Sequence, residues 1–134
     1  MIKKVEHIGI AVADAQQANS VFEKLLGHAN YKVEKVKSEG VATYFYDLNG
    51  TKIELLEATE TNSPIAKFIE KRKEGIHHLA FHVDDIHEEL NRLLGLGFEK
   101  VGEIKKGADN KKICFLHPKT TNGVLIELCQ EINQ

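Results

Sequence analysis

EHIGIAVAD at residues 6–14 and HHLAFHVDD at residues 77–85 are two versions of one segment. His7 falls on His78, Val12 on Val83 and Asp14 on Asp85, at a constant offset of 71 residues. A second pair follows in the same order. GTKIEL at 50–55 matches GVLIEL at 123–128, so that Glu54 falls on Glu127 at an offset of 73. Two matched blocks, in one order and nearly one register, mark a duplicated unit of about 60–70 residues.

Each copy carries the same grammar. Residues 4–12 alternate, with Val5, His7, Gly9 and Ala11 against Ile8, Ile10 and Val12, which is the period of a strand. Asp14 suits a helix N-cap. Ala18, Val21, Phe22, Leu25 and Leu26 recur at helical spacing, and Gly27 stops the helix. Three strands follow at 31–36, 41–48 and 51–57, the last two joined by Asn49-Gly50, a strong hairpin signal. The second copy gives a strand at 76–83, a helix at about 85–95, and strands at 98–102, 111–117 and 123–129, with Asn122-Gly123 as the matching hairpin turn. Both copies therefore read βαβββ. Between them Ser63 can cap and Pro64 suits a first helical position, so residues 63–73 read as a short linking helix. The polar stretch KKGADNKK at 105–112 is the most loop-like part of the chain, and its lysines read as solvated.

The length of 134 residues fits one domain. Lys plus Arg is 18 and Asp plus Glu 20, a net charge of −2 that excludes a strongly electropositive nucleic-acid binder. There is no tryptophan, and the few aromatic residues offer no stacking platform for bases. No apolar run approaches the roughly 18 residues that a membrane span needs. Cys114 and Cys129 lie outside any CxxC pattern, so a disulfide framework is not indicated and a reducing cytoplasm is the default.

The repeat singles out four residues. His7 and His78 occupy equivalent places on the first strands, and Glu54 and Glu127 on the last. If the copies pack about a pseudo-twofold axis, two imidazoles and two carboxylates converge, a set suited to a divalent metal of borderline softness. Gly9, Ala11 and Ala80 are small and share a strand face with one of these histidines, leaving room for a ligand. Glu54 and Glu127 each interrupt an apolar run, and a carboxylate in a core is costly unless it is paired or metal-bound. Taken singly, any of the four is better read as a solvated strand position. Falling as two matched pairs, they are not. Cys129, two residues after Glu127, reads as an apolar filler on the same face.

EHIGIAV, TKIELLE, NSPIAKFIEK, GIHHLAFHVDDI and FLHPKTTNGVLIEL resemble the methylmalonyl-CoA epimerase family, over about residues 5–130. That family belongs to the vicinal oxygen chelate superfamily, with glyoxalase I and the extradiol dioxygenases. The resemblance implies an α+β fold of two tandem βαβββ modules forming a curved mixed sheet around a metal-binding cavity. It implies a single domain over 1–134, with module 1 at about 4–58, the linking helix at about 63–73 and module 2 at about 75–131.

It also implies a divalent metal ion (Co, Mn, Ni or Zn) held by His7, His78 and Glu127. Glu54 matches a position that is Gln or Glu in the family and is the implied fourth ligand. The implied reaction interconverts (R)- and (S)-methylmalonyl-CoA by α-proton abstraction and reprotonation. Glu127 is the first base. The family's second glutamate lies in a segment like PEHGV. Here KSEGV sets Ser38 at that place, or Glu39 if the loop is one residue shorter. His117 and Lys119, in FLHPK, are the expected substrate contacts. An acyl-CoA partner, a homodimer and a cytoplasmic location follow, with no nucleic acid and no membrane. Two rivals stay open: a glyoxalase I-like lactoylglutathione lyase, and a non-catalytic small-molecule-binding module on the same fold.

Overall fold

The computed structural model describes residues 1–132. Among them the order is β1 (Ile2–Val12), α1 (Ala15–Leu26), β2 (Lys32–Val36), β3 (Val41–Leu48), β4 (Thr51–Ala58), α2 (Pro64–Arg72), β5 (Gly75–Val83), α3 (Ile86–Gly95), β6 (Lys100–Gly107), β7 (Lys111–Leu116) and β8 (Ile126–Glu131). This is βαβββ twice, with α2 as the link, in an α+β chain. The caps are those the repeat predicts. Asp14 Oδ1 accepts from the Gln16 and Gln17 amides at 3.0 and 3.3 Å, and Asp85 Oδ1 from the Glu88 amide at 3.1 Å. Ser63 Oγ accepts from the Ala66 amide at 3.1 Å, ahead of Pro64. No helix among the described residues is long and apolar enough to cross a membrane.

The chain condenses into two compact units whose limits differ from those of the repeat. One is Ile8–His77, and the other joins the first seven residues to those from His78 onward. In the Ile8–His77 unit the strand order is β2-β3-β4-β1, with β2–β3 and β3–β4 antiparallel. The β3–β4 hairpin turns at Asn49 (φ 54°) and Gly50 (φ 100°), the two positive φ angles that a tight hairpin needs and that this dipeptide accepts. Period two divides the sheet's side chains. Leu55, Tyr46 and Val12 pack with Phe22 and Leu26 of α1, and Ala11 and Leu56 pack with Ile65, Phe68 and Ile69 of α2.

In the other unit the order is β1-β5-β8-β7-β6. β5 and β8 are parallel, while β8–β7 and β7–β6 are antiparallel, so the sheet is mixed. Val83, Cys114, Leu116, Ile126 and Leu128 pack against Ile86, Leu90 and Leu93 of α3. The alternate residues Ala80, Ile113, Phe115 and Cys129 form a second buried cluster on the opposite face, the face of Glu127.

Two expectations need correction. KKGADNKK is mostly strand. β6 runs to Gly107, with Lys105 opposite Ile113 and Gly107 opposite Lys111, and only the short turn at Ala108–Asn110 separates β6 from β7. β6 ends the strand order and is largely exposed, so it carries no apolar alternation for a sequence reading to find. Lys111 is buried rather than solvated, with Nζ 3.2 Å from Asp109 Oδ2. Asn122-Gly123 does not make a two-residue hairpin either. β7 ends at Leu116 and β8 begins at Ile126, and a 3₁₀ turn at Pro118–Thr120 fills part of the connection.

α3 also buries a charge. Glu89 is 1% exposed and takes a two-pronged hydrogen bond from Arg92, at 2.9 and 2.6 Å. That guanidinium holds the Glu89 carboxyl below its ordinary value of 4.5. The stabilisation is therefore complete above that value and is lost as pH falls through the lower folded one. Glu89→Ala should cost about 1–3 kcal/mol at pH 7, toward the low end because Arg92 is partly solvated. In urea melts the gap from the parent should narrow as pH drops below 4.5.

Candidate metal centre

β1 delivers His7, β5 delivers His78 and β8 delivers Glu127, all within one compact unit. β5 and β8 run in parallel with Ala80 opposite Glu127, and the small side chain there leaves room beside the carboxylate. His7 Nε2 lies 2.9 Å from His78 Nε2. Glu127 Oε1 lies 2.9 Å from His78 Nε2 and 3.5 Å from His7 Nε2. Each of the three residues is only 5% exposed. The imidazole rings meet edge to face, with centroids 5.0 Å apart, and Phe115 closes on the His78 ring in the same manner at 5.7 Å.

Three nitrogen and oxygen atoms thus surround one point. Donors held about 2.0–2.1 Å from a common ion sit roughly 3.0–3.4 Å from one another, close to the separations of 2.9, 2.9 and 3.5 Å seen here. The donor set fits a borderline divalent cation. Burial by itself would raise the Glu127 carboxyl. When His7 and His78 are protonated, their hydrogen bonds and positive charge overcome this and hold it well below the usual carboxylate range. Its other oxygen, Oε2, accepts from the Cys129 thiol at 3.1 Å. Among the described residues no buried side-chain nitrogen or oxygen lacks a hydrogen-bond partner.

The remaining residues singled out from sequence lie on other elements. Glu54 is buried on β4, opposite Phe45 of β3, in the Ile8–His77 unit. Glu39 ends the 3₁₀ turn Lys37–Glu39 before β3 and is half-buried. His117 and Lys119 lie exposed in the connection between β7 and β8. There His117 Nδ1 accepts from the Lys119 amide at 3.1 Å and caps the 3₁₀ turn, while Lys119 Nζ pairs with Glu99 at 3.2 Å. Cys129 does share the face of Glu127, but as a hydrogen-bond donor more than a filler.

Sequence reasoning missed Glu6. It is 5% exposed, with Oε1 2.5 Å from His7 Nδ1. The signal available was an acidic residue inside an otherwise buried strand, the same signal that flagged Glu54 and Glu127. Glu6 has no acidic counterpart in the second copy, where His77 stands instead, so the repeat passes over it.

Residues 6–115 match the family model described as Glyoxalase/Bleomycin resistance protein/Dioxygenase superfamily. The ethylmalonyl-CoA/methylmalonyl-CoA epimerase of Cereibacter sphaeroides is 41% identical over 133 residues, which cover 97% of this chain and 99% of that protein. The crystal structure of methylmalonyl-CoA epimerase from Mycobacterium tuberculosis superposes with a TM-score of 0.92 at 34% identity, covering 98% of this chain and 90% of that one. A methylmalonyl-CoA epimerase in complex with methylmalonyl-CoA and NH4+ superposes with a TM-score of 0.91 at 28% identity, covering 98% and 96%.

His78→Ala removes one donor from the buried trio and leaves the helix-facing core untouched. It should weaken divalent-metal binding at least tenfold in equilibrium dialysis, with an unchanged circular dichroism spectrum. Retained affinity would show that the ion is held elsewhere.

Proposed function

Because this chain belongs to the Glyoxalase/Bleomycin resistance protein/Dioxygenase superfamily, we propose that it catalyses the epimerisation of methylmalonyl-CoA through its α-proton. The observation that carries the reading is the buried trio of His7, His78 and Glu127, with its donor atoms 2.9–3.5 Å apart. Near full-length similarity to proteins named for this reaction supports the substrate.

The reacting carbon lies between a thioester and a carboxylate. Its proton is weakly acidic, and removing it places negative charge on the thioester oxygen. A divalent ion, cobalt, manganese, nickel or zinc, held by His7, His78 and Glu127 with Glu54 as fourth ligand, supplies Lewis-acid stabilisation to that charge when bound. The chain's own residues do the rest. Glu127 is ionised at neutral pH and takes the proton from one face of the carbon onto a carboxylate oxygen. Glu39 faces the opposite side of the carbon, and a proton returned there gives the opposite configuration. For the other epimer the two exchange roles. His117 and Lys119 contact the substrate from the β7–β8 connection, the ammonium of Lys119 serving the anionic groups of coenzyme A. The reading extends to a cytoplasmic homodimer, which rests on the family resemblance.

Methylmalonyl-CoA in deuterated solvent should exchange its α-proton in the presence of metal-loaded protein, followed by NMR, and chelator should stop the exchange. Glu127→Gln should slow it by about 10²–10⁴-fold, the usual contribution of a positioned proton-transfer group. Exchange at the parental rate in that variant would remove Glu127 as base. No exchange with the metal bound would overturn the epimerase reading.

A further inference from the structure

The two histidines of the trio are not equivalent in what stands behind them. The residue before His78 is His77, whose ring stacks edge-on against Phe68 at 4.9 Å. The residue before His7 is Glu6, buried to 5% exposure with a carboxylate oxygen 2.5 Å from His7 Nδ1. A carboxylate can only accept, so the Nδ1–H donates to it in a charge-assisted hydrogen bond. The proton is then committed to Nδ1. Nε2 keeps its lone pair, and Nε2 is the atom that faces His78 and Glu127.

We propose that Glu6 is a positioning residue for His7: it fixes the Nδ1–H tautomer and the ring orientation, so that the Nε2 lone pair points at the place shared with His78 and Glu127. The proposal rests on the reading of that place as a metal centre. A ligating imidazole needs one nitrogen free of its proton and its ring held still, and a carboxylate on the other nitrogen supplies both and raises the basicity of the ligating atom.

The same neighbourhood offers a rival role. Glu6, His7 and Cys129 each place a ligand atom within 4.8 Å of the others, which is a second three-donor group. Its geometry disfavours an ion. The 2.5 Å between Glu6 Oε1 and His7 Nδ1 is shorter than the roughly 3 Å that two donors to one ion keep between them. The hydrogen bond to Glu6 also occupies Nδ1 with a proton and leaves it no lone pair for an ion. The Cys129 thiol, in turn, already donates to Glu127.

The test uses the full chain and its Glu6→Leu, Glu6→Gln and Cys129→Ser variants. Long-range ¹H–¹⁵N spectra of the metal-free proteins at roughly pH 8, above the ordinary imidazole range, report the His7 tautomer. Zn²⁺ titrated against a chromophoric chelator reports affinity and stoichiometry. In the parent, His7 should carry its proton on Nδ1 and the chain should bind one equivalent of Zn²⁺. Glu6→Leu should shift the ring toward the Nε2–H form and weaken Zn²⁺ binding about 10–100-fold, the usual effect of removing such a partner. Glu6→Gln, which keeps an acceptor, should recover part of both. It also serves as the folded comparison if Glu6→Leu proves unstable. An Nδ1–H tautomer and parental affinity in both Glu6 variants would overturn the proposal. So would a second equivalent of Zn²⁺ that disappears in Cys129→Ser, since Glu6 would then be a ligand. If the parent binds no Zn²⁺ the metal reading falls, and the tautomer shift alone still decides whether Glu6 sets the His7 ring.

Discussion

A carboxylate buried between two imidazoles is the constraint around which this chain is arranged. Glu127 sits on a strand covered on both faces, and an ionised carboxylate in such a place costs several kcal/mol unless its oxygens are engaged. Here each oxygen is. Oε1 lies against the two histidines and Oε2 accepts from the Cys129 thiol. Supplying those partners fixes much else. β5 must lie beside β8 in the register that sets Ala80 against Glu127, and β1 must bring His7 to the same point. The other face of β8, with Ile126 and Leu128, must be sealed by α3 so that the charge stays dry. The apolar core and the polar cluster are the two sides of one sheet, separated by the period of two.

The duplication explains why the chain can meet this demand. In each copy the helix follows the first strand, an Asp caps it, and its apolar stripe covers one sheet face. The residues of the last strand that face away from that helix include Glu54 in one copy and Glu127 in the other. The compact units nevertheless do not follow the copies. Their limits fall between His7 and Ile8 and between His77 and His78, so that the two histidines, 71 residues apart in the chain, belong to one body. Symmetry also fails where the chemistry needs it to. Glu6 lies behind one imidazole, while His77, before the other, turns to Phe68.

Much of the architecture was legible because its causes are local. Alternation names a strand, a 3.6-residue stripe with an Asp or Ser cap names a helix, and Asn49-Gly50 names a hairpin, each from residues within a few positions of one another. The misreadings came where local cues run thin. β6 is exposed and lysine-rich, so it has no pattern to read, and Asn122-Gly123 adopts positive φ angles in a longer connection instead of a two-residue turn. His7, His78, Glu54 and Glu127 could be named in advance because duplication made them stand out together.

By itself, then, the amino-acid sequence determined the βαβββ grammar, its doubling, the helix caps and the two matched His and Glu pairs, since periodicity, capping and repetition are written along the chain. Only the tertiary structure decided that Glu6 meets His7 Nδ1 and that the Cys129 thiol donates to Glu127. Their significance depends on depth and on which atom of a neighbour each one meets. For His117 and Lys119 the structure adds the intramolecular partners, a turn amide for one and Glu99 for the other. Burial and hydrogen-bond direction belong to strands that pair across long stretches of sequence, and no local pattern encodes the partner.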